Sequence, residues 1–323
     1  MKVRVIGAGA LGLLVSASLA SAGADVELVT RTREQAEQLE RDGLLLTRAA
    51  PEGGRESVTV HPPVASWDEW IAQPCMQSAT EITALTLKQT AVTDELAKVL
   101  AERLGPSARL VCFQNGIGHT DILSARISPS QIMLAVTTEG ALKHSPTEVE
   151  HTGRGITWLG GMIPAGNRHD DEKMLKKLQN VLQNAGFGVS LSNQMTSKVW
   201  NKLLINAVIN PLTAILQIAN GKLLELPASR ELMRLLYDEG VTLADKLNIE
   251  LAEDLWEQLE TVCCRTAANQ SSMLQDVRAE RLTELDAITG GLLAKAHQTG
   301  IQLPTHETVY RLVRSIEQQW TKK

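Results

Sequence analysis

VRVIGAGALGLLVSASLASAGADVELVTR, residues 3–31, decides the fold of the first half of this chain. Val3 to Ile6 reads as a buried strand. Gly7, Gly9 and Gly12 follow it as GxGxxG, and an apolar helical stretch from Leu11 to Ala20 ends near Gly23. Val26 to Val29 reads as a second strand. A glycine motif in this strand–turn–helix–strand setting is the fingerprint of a dinucleotide-binding unit. Gly7 permits the tight turn, Gly9 lets backbone approach a pyrophosphate, and Gly12 lets the helix pack closely. The opening N–H groups of the helix then meet the phosphates. Gly7, Ala8, Gly9, Ala10, Leu11 and Gly12 are therefore the expected cofactor loop.

The end of the second strand selects the cofactor. NAD-binding units place Asp or Glu there for the ribose 2′-hydroxyl. This chain has Thr30-Arg31-Thr32-Arg33. A guanidinium pairs with a 2′-phosphate that a carboxylate would repel, so NADPH is expected, with Arg31 as the contact. Arg33 reads equally well as a solvated surface charge.

Further α/β units follow. Strands are expected at 81–87, 109–113, 131–137, 155–159 and 188–191, and helices at 90–103 and 170–185, with a loop at 160–170. Lys88 and Asn115 fall just beyond two strands, where ligands of open α/β sheets gather. Each also reads as an ordinary turn residue. From about Gln194 onward the pattern is helical, with helices expected at 195–210, 228–247, 252–267, 276–298 and 305–320. The reading is an α/β chain with a Rossmann-type cofactor domain over 1–193 and an all-helical domain over 194–323, a combination that suggests a reductase.

The bulk properties bound the alternatives. At 323 residues the chain is long enough for two domains. The formal net charge of −5 argues against general nucleic-acid binding. No uninterrupted apolar run of about 18 residues marks a membrane span, and MKVRVIGAGALG reads as strand, turn and helix rather than a signal peptide. Cys75, Cys112, Cys263 and Cys264 show neither disulfide-framework nor zinc spacing. A reduced cytoplasmic protein without a metal site is expected.

KVWNKLLINAVINPLTAI, residues 198–215, poses the second question. Lys202, Asn206 and Asn210 recur at four-residue steps in an otherwise apolar run, which puts them on one helix face. Buried polar groups need partners. The stripe is either a structural network between helices or the wall of a ligand site.

GAGALG, LTLK ending at Lys88, QNGIG around Asn115, WNKLLINAVINPLTAI, NGKL from Asn220 and SSMLQDVRAERLTELD occur in this order. Over nearly the whole chain the sequence resembles the ketopantoate reductase (2-dehydropantoate 2-reductase) family. The resemblance implies NADPH-dependent reduction of 2-dehydropantoate to (R)-pantoate, on the route to pantothenate and coenzyme A. It implies that Lys202 is the proton donor and that Asn206, Asn210, Asn220 and Ser272 contact substrate. It also implies that Glu284 lies beside cofactor and substrate, that Asn115 touches both, and that Arg31, Lys88 and Ala141 are cofactor positions. Under this resemblance the stripe reads as a site wall. On its own residues Glu284 reads as an exposed helix charge, and Ser272 as a cap just before a helix.

The chain departs from the family in places. Glu139-Gly140-Ala141 stands where members often read HAA. Thr289 stands where members often have asparagine, ahead of Gly290 and Gly291, which in a helix read as close-packing positions. Three alternatives remain open at this level: a paralogous reductase of another 2-keto acid, another two-domain dehydrogenase class, and a non-enzymatic NADP(H) sensor. A homodimer is compatible with the sequence, which leaves the oligomeric state undetermined.

Overall fold

The structure is a computed structural model and describes residues 1–50, 53–74, 80–163 and 169–321. Cys75 and residues 164–168 of the loop expected at 160–170 lie outside the described residues. The chain divides into two compact units. One comprises Met1–Gln114 and His119–Met195; the other comprises Asn115–Gly118 and Thr196–Lys323.

The first unit is built on β1 (Lys2–Ile6), β2 (Asp25–Thr30), β3 (Leu44–Ala49), β4 (Arg55–Val60), β5 (Val64–Ser66), β6 (Thr80–Leu85), β7 (Arg109–Cys112), β8 (Ile132–Thr137), β9 (Gly140–Ser145), β10 (Glu148–Gly153), β11 (Ile156–Gly161) and β12 (Gly188–Leu191). Eight of them form one sheet in the order β12-β11-β8-β7-β6-β1-β2-β5. Its pairings are parallel except β8 with β11. The inner strands are rich in buried apolar residues because both faces are covered. Leu13, Leu14, Ala17 and Leu19 of helix Ala10–Ser21 pack on one face, with Leu175, Leu178 and Leu182 of helix His169–Asn184. Trp70, Leu96, Ala97 and Leu100 pack in a separate cluster with Ile6, Leu85 and Leu110. From β1 the chain builds outward to β2 and β5, then returns to β6 and builds the other way. The strand order therefore reverses between β1 and β6, the crevice where such sheets bind ligands.

A second sheet of four strands, β4-β3-β10-β9, was not expected from the sequence. Its β3–β10 pairing is parallel and joins Leu46 to Val149. Both are fully buried in the same cluster as the helix Ala10–Ser21.

The second unit is helical: Met195–Leu216, Lys222–Glu225, Pro227–Lys246, Leu255–Arg265, Ser272–Arg278, Gly291–Thr299 and Pro304–Thr321, with a π-helical turn at Asp286–Gly290. Two expectations are corrected. The first helix runs past 210 to Leu216 with Pro211 inside it. The missing proline N–H removes one ladder bond, but Leu212 and Ala214 beyond it are buried and hold the last turns in place. By length and composition this helix could cross a membrane; here Leu203, Leu204, Ala207 and Val208 are buried inside the unit. The helix expected at 276–298 is three pieces. It stops at Arg278, Glu280 takes a left-handed φ of 49°, and helical structure resumes with the π turn.

Candidate active site

Lys202 lies in the second turn of helix Met195–Leu216, flanked by buried Asn201 and Leu203. Lys202 is half-buried, and desolvation pushes its ammonium down from 10.5 to about 8, with nearby Glu284 opposing part of the shift. Desolvation disfavours the charged form of a lysine, and an adjacent anion favours it. The result is an amine that holds a proton at neutral pH and can release it.

Glu284 is not on a solvated helix face. It sits in the break between Arg278 and the π turn, and its Oε2 accepts a hydrogen bond from Asn115 Nδ2 at 2.9 Å. The backbone of QNGIG is docked beside it. Ile117 N–H donates to the Ala287 carbonyl at 3.1 Å. Gly116, at φ 80°, lies so near Ala287 that a Cβ would stand 2.3 Å from its carbonyl oxygen. Gly291 approaches Ile117 in the same way, with 2.7 Å from a Cβ to the Ile117 side chain. Gly116 is thus required where two backbone segments meet, and Gly291 where the Ile117 side chain packs on the helix. The Glu284 carbonyl accepts from Ala287 and Ile288 N–H, which starts the π turn under it. Such turns are frequent at functional sites because they re-aim side chains.

Behind Glu284, Thr283 donates both its N–H and its hydroxyl to Oε1 of Glu317, at 2.9 and 2.7 Å. Arg314 bonds the other Glu317 oxygen at 2.7 Å and also bonds Asp286 and Tyr310. Glu317 is 2% exposed. A buried carboxylate with charge-assisted partners is a rigid anchor, so the last helix holds the segment that presents Glu284. Glu317 gave no sign of this in the sequence, where it is one more acid on an amphipathic helix.

The remaining stripe residues are placed differently. Asn206 is half-buried and Asn210 is buried on the helix that bears Lys202. Asn220 is buried; its Nδ2 donates to Thr266 Oγ1 at 2.9 Å, and its Oδ1 is buried without a partner among the described residues. Gly221 beside it packs against Ala267. Ser272 is the exposed first residue of its helix, and Ser271 is the cap, which corrects the expectation. The Ser271 hydroxyl accepts from Leu274 N–H at 3.0 Å and pairs with Thr213 at 2.7 Å. The structure thus gathers Lys202, Glu284 and Asn115, and separately ties Asn220 to Thr266 and Asn269, in the segment that leads to Ser272. Thr289 is fully buried in the π turn, its hydroxyl without a partner among the described residues.

In the first unit the glycine loop closes the end of β1. Gly7 has φ 115°, and Gly12 crosses it so closely that a Cβ would fall 1.8 Å from the Gly7 carbonyl oxygen. The Thr86 hydroxyl donates to that oxygen at 2.9 Å. At Gly9 a Cβ would meet nothing within 4 Å. Gly9 caps helix Ala10–Ser21 with no side chain on the free N–H groups and no acid in the first turn. An uncapped helix start facing open space fits a diphosphate. Arg31, exposed just past β2, has no carboxylate partner among the described residues, whereas Arg33 is paired with Glu37 and Glu69. Lys88 is exposed at the start of a short 3₁₀ turn, Gln89–Ala91. Ala141 lies on β9 opposite His151 and packs on the apolar cluster of the unit.

Comparison with known proteins gives a consistent picture. The family model described as "Ketopantoate reductase PanE/ApbA" matches residues 3–163, and its "C terminal" companion matches 194–317. A protein named 2-dehydropantoate 2-reductase from Bacillus subtilis (strain 168) is 32% identical over 325 residues, covering 100% of this chain and 99% of the relative. A crystal structure titled as a probable 2-dehydropantoate 2-reductase from Bacillus subtilis superposes with a TM-score of 0.77 at 30% identity, covering 98% of this chain and 100% of that one. The structure of D-mandelate dehydrogenase with NADH and anilino(oxo)acetate reaches a TM-score of 0.88 at 23% identity, covering 99% of both chains, a likeness of fold alone.

Proposed function

This chain belongs to the ketopantoate reductase family, and from that premise we propose that it reduces 2-dehydropantoate to (R)-pantoate with NADPH in pantothenate and coenzyme A biosynthesis. The observation that carries the reading is Lys202, whose pKa burial lowers to about 8 beside the Asn115–Glu284 pair. NADPH, when bound, supplies the hydride that reaches the ketone carbon.

Residues of the chain do the rest. The uncapped start of helix Ala10–Ser21 and the loop Gly7–Gly12 hold the diphosphate, Arg31 meets the 2′-phosphate, and Lys88, Ala141 and Asn115 complete the cofactor contacts. As the carbonyl oxygen gains negative charge, the Lys202 ammonium stabilises it and passes it a proton. The ketone gains one hydride and one proton, and the neutral amine is reprotonated from water. Glu284 keeps Lys202 protonated before the step, since an anion beside an amine favours its charged form. Asn206, Asn210, Asn220 and Ser272 orient the hydroxyl and carboxylate of the substrate. The unpartnered Asn220 Oδ1 supports this role, because a substrate hydroxyl would satisfy a buried acceptor that is costly to leave alone. Cys264 is an exposed free thiol, which suits a reducing cytoplasm.

The test is NADPH oxidation followed spectrophotometrically with 2-dehydropantoate and a panel of other 2-keto acids. The expected result is the highest kcat/KM with 2-dehydropantoate. A clear preference for another 2-keto acid would overturn the substrate assignment, and turnover of none would overturn the reductase reading.

A further inference from the structure

The Ala8 carbonyl, between Gly7 and Gly9 of the cofactor loop, is held by two side chains from outside the loop. Lys143 Nζ donates to it at 2.9 Å and Gln35 Nε2 at 3.2 Å. Gln35 Nε2 also donates to the Pro146 carbonyl at 2.9 Å, tying helix Arg33–Asp42 to the turn after β9. Lys143 stands on β9 opposite Val149. Ala141 and Lys143, two residues apart on that strand, share a face, while Leu142 and His144 between and beyond them are exposed. The small second sheet thus delivers a cation to the glycine loop.

The physical consequence follows from peptide geometry. The Ala8–Gly9 peptide plane turns on Ala8 ψ and Gly9 φ, and Gly9, with no Cβ, leaves the second of these free to take either sign. A carbonyl turned toward a diphosphate would repel it. In a trans peptide the C=O and the following N–H point in opposite directions. Two donors that pin the Ala8 oxygen to one side therefore aim the Gly9 N–H to the other, at a residue where an added Cβ would meet nothing within 4 Å. The ammonium adds a positive charge beside the anion site.

We propose that Lys143 is a further cofactor-positioning residue: by holding the Ala8 carbonyl it sets the glycine loop for the diphosphate of NADPH. This rests on the NADPH reading above. Lys143→Met removes donor and charge, Lys143→Gln keeps only a shorter neutral donor, and Lys143→Arg keeps both. The experiment is calorimetric titration of the enzyme, without substrate, with NADPH and separately with adenosine 2′-monophosphate, which lacks the diphosphate. For NADPH the Met and Gln variants should show Kd raised about tenfold or more, the scale of one charge-assisted hydrogen bond, and Arg should restore most of it. For adenosine 2′-monophosphate all should match wild type. Wild-type NADPH binding with the Met and Gln variants within about twofold of it would overturn the role of Lys143 and leave the cofactor reading standing. Equal weakening of both ligands would also overturn it, because a general loss of structure spares neither. Absence of NADPH binding by wild type would overturn both.

Discussion

Asn115 and Glu284, 169 residues apart in the chain, are joined by a 2.9 Å hydrogen bond from Nδ2 to Oε2. The amide spends one N–H on the carboxylate and fixes it where its charge acts on Lys202. Two residues that look like a turn asparagine and a surface acid thereby become parts of one proton-handling group.

Lys202→Ala should lower kcat by about 10²–10⁴-fold, the usual contribution of a general acid, with NADPH affinity kept. In the wild type the reduction rate should fall as pH rises through about 8, because the donor must carry its proton. The reverse oxidation should rise over the same interval, since it needs the neutral amine. Single-turnover hydride transfer across pH, with Lys198→Ala as a control one helical turn earlier, checks this. A crippled Lys198 variant beside an active Lys202 variant would assign the acid to the wrong lysine.

Glu284→Gln preserves shape and removes the anion that raises the Lys202 pKa. The pH midpoint of the reduction rate should therefore move below about 8, and kcat at neutral pH should drop. A wild-type midpoint and rate in this variant would make Glu284 a bystander.

Arg31→Ala should weaken NADPH binding by about 1.5–3 kcal/mol, the worth of a hydrogen bond to a charged group. NADH, which lacks the 2′-phosphate, should bind as before. Parallel fluorescence titrations with both nucleotides decide it, and equal wild-type affinity for the two would sink the NADP preference.

Ser271 and Ser272 should separate by what they lose. Ser271→Ala removes a buried helix cap bonded to Leu274 and Thr213 and should cost about 1–2 kcal/mol of stability. Ser272→Ala leaves the cap intact and should raise KM with little change in Tm. Thermal melts paired with steady-state kinetics test the pair; a Ser272 variant with unchanged KM takes that serine out of substrate binding.

What the sequence determined on its own is local. GxGxxG between a strand and a helix is legible because turn geometry and helix-start chemistry are properties of neighbouring residues. Lys202, Asn206 and Asn210 share a face for the same reason, and the arginine past β2 is read from its place at a strand end. Motif resemblance extended this to Glu284, Asn115 and Ala141 as single positions, without saying how they are held. Tertiary structure decided the rest. The apolar pattern over 276–298 runs on as a helix would, yet Thr283 bonds Glu317 and Glu280 turns left-handed, so the helix breaks and Glu284 is presented from the break just ahead of a π turn. Asn115–Gly118 belongs with the second unit because Gly116 admits close approach to the Ala287 backbone and Gly291 leaves room for the Ile117 side chain. The four-stranded sheet pairs β3 with β10 across about a hundred residues, and it alone brings Lys143 to Ala8. Such contacts depend on which distant surfaces fit one another, and no spacing along the chain records that.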